Sequence, residues 1–193
     1  MEELKLDAAK TALVVIDLQK GIVGRTTAPR GSAQVVQNAK RLADALRSKG
    51  GYIVWARVAA SADGKDRLHP VCDAPIGGGA PLPDWSDLVV GLGIKHGDHV
   101  LTKKQWGAFY GTDLDLQLRR RGIGAIVLCG IATCFGVEST ARDAFELGYE
   151  QVFAEDAMAA LSAEEHEHTI KRILPRLGQV RSVNDILAVL GRA

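Results

Sequence analysis

Three times along this chain a charge-rich stretch with helical apolar spacing stops at glycine, and an unbroken apolar run follows within a few residues. Ala39 to Arg47 ends before Gly50-Gly51 and gives way to Tyr52-Ile53-Val54-Trp55-Ala56. Leu114 to Arg121 ends at Gly122, ahead of Ala125-Ile126-Val127-Leu128-Cys129. Val137 to Leu147 ends at Gly148, ahead of Gln151-Val152-Phe153-Ala154. Apolar runs that do not alternate with polar residues belong to strands buried on both faces, which is the situation inside a parallel sheet. With Ala12 to Ile16 at the start and the shorter Val100-Leu101-Thr102, the alternation of strand and helix predicts a three-layer α/β/α sandwich around a mainly parallel, doubly wound sheet. Residues 59–83 break the rhythm: Pro70, Pro75, Pro81, Pro83 and Gly77-Gly78-Gly79 make a stretch too long and irregular for an ordinary connection. It is expected to be a loop over the site or an oligomer contact.

Composition narrows what such a domain does. A chain of 193 residues with 47% hydrophobic content fills one core, so residues 1–193 are expected to form one domain. Lys and Arg number 24 and Asp and Glu 23, for a net charge of +1, which leaves no excess charge to hold nucleic acid or an anionic membrane. No apolar run approaches the roughly 18 residues of a membrane span, and the opening Met1-Glu2-Glu3-Leu4-Lys5-Leu6-Asp7 does not resemble a secretory signal, so a cytoplasmic protein is expected. The three cysteines, Cys72, Cys129 and Cys134, lack CxxC spacing and predict neither a disulfide framework nor a zinc knuckle.

Ligands of open α/β sheets collect at the carboxyl ends of the strands. Asp17 follows Ile16 directly, Lys103 follows Thr102, and the turn Gly130-Ile131-Ala132-Thr133-Cys134-Phe135-Gly136 follows Cys129. A carboxylate, an ammonium and a sharp turn entering a helix therefore converge. Spacing alone leaves Asp17 as either a reactive group or a cap or structural ion pair, and leaves either Lys103 or Lys104 as the inward lysine. His96, Asp98, His99, the Glu164 to His168 cluster, and Asp63, Asp66 and His69 are metal-binding residue types in spacings that match no metal motif. No metal or cofactor is expected. Glu164 to His168 reads as the solvated first turn of a helix.

These segments resemble the isochorismatase-like hydrolases, the superfamily that includes nicotinamidases and other cysteine amidohydrolases, over nearly the whole chain. Val14 to Gln19 resembles the opening strand with its acidic residue, Lys103 to Leu114 the lysine motif, Gly130 to Ala144 the turn and helix of the nucleophile, and Glu155-Asp156-Ala157 the next strand end. The family's lysine stands six residues before the Phe of an Ala-Phe pair, which selects Lys103. The resemblance implies a non-proline cis peptide between Ile131 and Ala132, a pocket bordered by Gln19, Trp106, Phe109, Ile131, Ala132 and Thr133, a small-molecule substrate, and a homo-oligomer, dimer or tetramer.

The family's nucleophilic cysteine falls six residues after the turn's first glycine, and that position is Gly136. True isochorismatases resemble this chain in having glycine there and cleave a vinyl ether without a covalent intermediate. By that resemblance Asp17 is a general acid, Lys103 its charged partner, and the Gly130 to Gly136 turn the pocket floor and oxyanion site, with Arg57 the one cation nearby for a substrate carboxylate. Two other readings stay open: an amidohydrolase whose nucleophile has moved to Cys134, or a protein that has lost catalysis and kept a binding or assembly role.

Overall fold

The computed structural model describes residues 3–76 and 83–192; the Gly77-Gly78-Gly79 run and Pro81 lie outside them. Six strands form one sheet: β1 (Thr11–Ile16), β2 (Tyr52–Val58), β3 (His99–Lys103), β4 (Ala125–Ile131), β5 (Glu150–Ala159) and β6 (Gln179–Arg181). Their spatial order is β3-β2-β1-β4-β5-β6 and every neighbouring pair is parallel. All six residues of β1 are buried, as its unbroken apolar sequence requires of a central strand.

The helices are α1 (Lys20–Val23), α2 (Ser32–Ser48), α3 (Leu114–Arg120), α4 (Glu138–Glu146), α5 (Ala163–His168) and α6 (Val183–Arg192). The chain steps one way across the sheet from β1 to β3 and the other way from β4 to β6. Right-handed crossovers then place the helices of the two runs on opposite faces. Leu13 of β1 and Val127 of β4 meet Leu42 and Leu46 of α2 and Ile186 and Leu190 of α6. Their strand neighbours, buried Val14 and Leu128, point to the opposite face. Among the described residues no helix is long and apolar enough to cross a membrane.

The expected strands and helices are present, with most ends extended by a few residues, and two C-terminal elements, β6 and α6, add to them. β6 is three half-buried residues at a sheet edge and gives no apolar run to read. α6 does carry the helical signature, with Val183, Ile186 and Leu190 buried and Leu187 partly buried. β5 runs past Glu155-Asp156-Ala157 to Ala159, and the Asp156 carboxylate accepts the Val183 N–H at the start of α6.

The reversal of winding direction lies between β1 and β4, so the crevice at their carboxyl ends is the topological switch point where such sheets bind ligands. Gly130 pairs with Ile16 across this junction at φ +125°. A Cβ there would stand 2.1 Å from the Ile16 carbonyl oxygen, a backbone atom that cannot turn aside. Gly130→Ala is expected to cost more than about 3 kcal/mol, read as a lower denaturation midpoint in urea.

Candidate active site

Asp17 leaves the end of β1 in the left-handed region, at φ +54°, a conformation that aspartate tolerates better than most residues. Its N–H donates to the Ala56 carbonyl at 2.9 Å, which carries the hydrogen-bonding of the sheet one residue beyond the strand. The turn aims the side chain across the crevice toward β3 and the β4 turn. There Lys103 Nζ donates to Asp17 Oδ2 at 2.8 Å and to the Gln105 carbonyl at 3.0 Å. Both residues of this ion pair are buried. Lys104 points away and pairs with Asp66 at 2.7 Å, so the inward lysine is Lys103.

Between Ile131 and Ala132 the peptide is cis, and residues 133–137 wind into a π-type turn that runs directly into α4. This brings Gly136 against the ion pair. A Cβ on Gly136 would lie 2.8 Å from Ile16 Cγ2, 3.2 Å from Asp17 Oδ2 and 3.3 Å from the Trp106 carbonyl oxygen. A side chain at 136 would therefore meet an Ile16 methyl, the Asp17 carboxylate and the Trp106 backbone together. Residue 136 supplies no reactive atom, and the acid stands in its path.

Burial pushes the Asp17 carboxyl up to about 6, against the opposing pull of the Lys103 charge and hydrogen bond. Oδ2 is satisfied by Lys103, whereas Oδ1 is buried with no hydrogen-bond partner among the described residues. The Val58 N–H, which also favours the charged form of the Asp17 carboxyl, donates to Gln19 Oε1 at 2.8 Å. Burying a carboxylate oxygen without a partner costs free energy.

The other residues implied by the resemblance divide by what they touch. Gln19 is fully buried, and its amide also donates to the carbonyls of Val58 and Trp85, so it ties β2 to the segment after residue 83. Trp106 is about half exposed, 54%, with its ring tilted against Phe135 at 4.9 Å, and it is the more accessible aromatic surface beside the floor. Phe109 is buried against Tyr149 at 5.7 Å. Ile131 and Thr133 are buried and Ala132 half-buried along the floor. Cys134 is half-buried, and burial together with the nearby carboxylates of Glu165 and Glu138 pushes its thiol up to about 11. Arg57 donates to Thr102 Oγ1 at 3.1 Å.

In the irregular stretch, Ser61 bonds to Asp66, which pairs with Lys104, so its first part is anchored one residue from Lys103. His99 pairs with Asp113, and Asp98 takes Arg47, Trp55 and the Lys95 N–H. These roles are structural.

Residues 11–185 match the family model of the isochorismatase domain. The chain belongs to the isochorismatase family. The isochorismatase family protein YwoC of Bacillus subtilis is 54% identical over 189 residues, 97% of each chain. The structure of an isochorismatase family protein from Burkholderia thailandensis aligns with a TM-score of 0.93 at 42% identity, over 98% of this chain and 100% of that one. The ureidoacrylate amidohydrolase RutB of Rhizobium rhizogenes is 30% identical over 218 residues, 100% of this chain and 88% of that protein. This isochorismatase family member is thus a hydrolase.

One residue escaped the sequence reading. Glu164 to His168 does open a helix, with the Ser162 hydroxyl and Glu165 forming a reciprocal cap, but His166 is not solvated. It is 4% exposed, and with buried Thr169 and Ile170 it forms the inward face of that helix. The 166/169/170 spacing was the available signal.

Proposed function

We propose that this hydrolase cleaves a small-molecule vinyl ether by general-acid catalysis from Asp17, with water as the nucleophile. The observation that carries the reading is that the Asp17 carboxyl lies 3.2 Å from where a Cβ of residue 136 would stand, while residue 136 is glycine. A thiol mechanism has no atom to begin with there, and an acid is already in position.

In this mechanism protonated Asp17 gives its proton to the terminal vinyl carbon. A C–H bond forms as the π electrons shift, leaving an oxocarbenium ion at the carbon that bears the ether oxygen. The carboxylate left behind is stabilised by the Lys103 ammonium, whose charge eases proton release at the moment it occurs. Water adds to the cation and returns a proton to Asp17. The resulting hemiketal collapses to a ketone and an alcohol. No group is oxidised or reduced, and the chain's own residues suffice without a cofactor.

Cys134 fits the role of nucleophile less well, because burial and two neighbouring carboxylates disfavour the thiolate that attack requires. Half-exposed Trp106, against Phe135 of the 130–136 turn, would stack on a planar substrate. Assembly into dimers or tetramers belongs to the same reading, and exposed Tyr110, Leu116 and Phe145 offer apolar surface for it.

The test is hydrolysis of an enolpyruvyl ether in H₂¹⁸O across pH 5 to 8. Because the protonated carboxyl is the active form and its pKa is about 6, kcat/KM is expected to fall as pH rises through that value. The alcohol product should carry no label, since the vinyl C–O bond breaks. A labelled alcohol, a profile flat across this range, or faster cleavage of a ureido amide than of the ether overturns the proposal.

A further inference from the structure

Two buried groups and a half-buried guanidinium, from three distant parts of the chain, meet beside the floor of the site. His166 of α5 lies with Nδ1 2.8 Å from Thr133 Oγ1, and Thr133 is the first residue of the π-type turn that carries Gly136. The other ring nitrogen, Nε2, faces Arg30 Nη1 at 3.3 Å. Arg30 is itself fixed over the carboxyl end of β5, donating from Nη1 to the carbonyls of Glu155 at 2.7 Å and Met158 at 2.9 Å.

Proton positions follow from donor chemistry. A guanidinium nitrogen has no lone pair with which to accept, so the ring nitrogen that faces it is the one without a proton, and the two Nη1 hydrogens are shared among it and the two carbonyls. The ring proton is then on Nδ1 and is donated to Thr133 Oγ1. Thr133 accepts it and keeps its own hydroxyl hydrogen to give. Among the described residues that hydroxyl makes no hydrogen bond besides the one with His166, although Thr133 is fully buried. A buried donor left over in the turn that carries Gly136 calls for an acceptor that arrives with the ligand.

We propose that His166 is a positioning residue: clamped by Arg30, it holds the Thr133 hydroxyl as a hydrogen-bond donor to an oxygen of the substrate. The acceptor is a carboxylate or carbonyl oxygen, since both take a hydroxyl proton and neither competes for the Nδ1–H. The proposal rests on the reading of the Asp17 crevice as the place of reaction. Burial, and after it the Arg30 charge, pushes the ring down to about 4, which keeps it neutral across the working range. The surrounding charges are Arg30 on one side and Glu167 in the same helix on the other. The arrangement also differs from a metal site, because both ring nitrogens are engaged by protein groups.

Spectra of the whole protein with ¹⁵N-labelled histidine report the ring tautomer without any substrate, the His166 signals being assigned by their loss in His166→Asn. A neutral ring protonated on Nδ1 is expected at pH 7; protonation on Nε2, or a charged ring, overturns the proposal whatever the site hydrolyses. With an enolpyruvyl ether as probe, Thr133→Val should lower kcat/KM about tenfold to a hundredfold. His166→Leu should fall to the same level, and the double variant no further, because the two residues act as one unit. His166→Asn, which retains an N–H on the Thr133 side, should recover most of the parental rate. A Thr133→Val enzyme with parental kcat/KM overturns the assignment. If the parent does not cleave the ether, the vinyl-ether reading fails, and the tautomer alone decides the role of His166.

Discussion

Asp17→Asn is expected to lower kcat by about 10²- to 10⁴-fold, the usual contribution of a positioned general acid, with little change in KM. Asparagine keeps the shape of the side chain, and its carbonyl oxygen still accepts from Lys103 Nζ at the place where Asp17 Oδ2 now stands, 2.8 Å away. The amide removes only the transferable proton. The pH limb near 6 should vanish with it, because the group responsible for that limb is gone. Steady-state kinetics on the enolpyruvyl ether, alongside a thermal melt to show that the fold persists, make the check. Turnover at the parental rate rejects the acid role and leaves a binding protein as the better account.

Lys103→Met should act mainly on stability. It deletes the only counter-charge within hydrogen-bond reach of Asp17 among the described residues and leaves a buried carboxyl with neither oxygen paired. Losing one partner of a buried pair costs about 3–5 kcal/mol. The cost depends on pH, and its sign can be worked out. Burial already raises Asp17 above its unfolded value of 3.8, and without the lysine it rises further. The native state then holds a proton that the unfolded state has released. Stability is accordingly lost as pH climbs above the unfolded pKa and toward the new native one. Urea denaturation at pH 5 and pH 8 should show the variant near the parent at the lower pH and well below it at the higher. Adding Asp17→Leu to remove the second charge should restore most of the loss at pH 8; a variant equally weak at both pH values would show that Lys103 acts through packing alone.

The parts of this molecule legible in sequence are those where one physical demand dominates. β1, β2, β4 and β5 are buried on both faces, so their residues form apolar runs that need no partner to recognise. Asp17 and Lys103 stood out because a charge at the end of such a run has no solvent reason to be there. The long-range contacts were not legible. That Gln19 spends its amide on Val58 and Trp85 depends on where the segment after residue 83 returns to the sheet, and no local pattern encodes that. His166 was hidden by its neighbours: in a run of acidic residues its inward direction shows only when the helix is extended to Thr169 and Ile170. The shape of the floor at Gly136 was likewise invisible, since the sequence records a missing side chain but not what occupies its place.

That occupied place bears on engineering. Installing cysteine at 136 by a single substitution would drive its Cβ to 2.8 Å from a methyl group of Ile16, in the most deeply buried strand of the sheet. The substitution therefore has to be made together with Ile16→Ala, which removes that methyl. Positions 16 and 136 form a coupled pair, and a thiol hydrolase is at least two coordinated changes from this chain, with every single-step intermediate either overpacked or hollow.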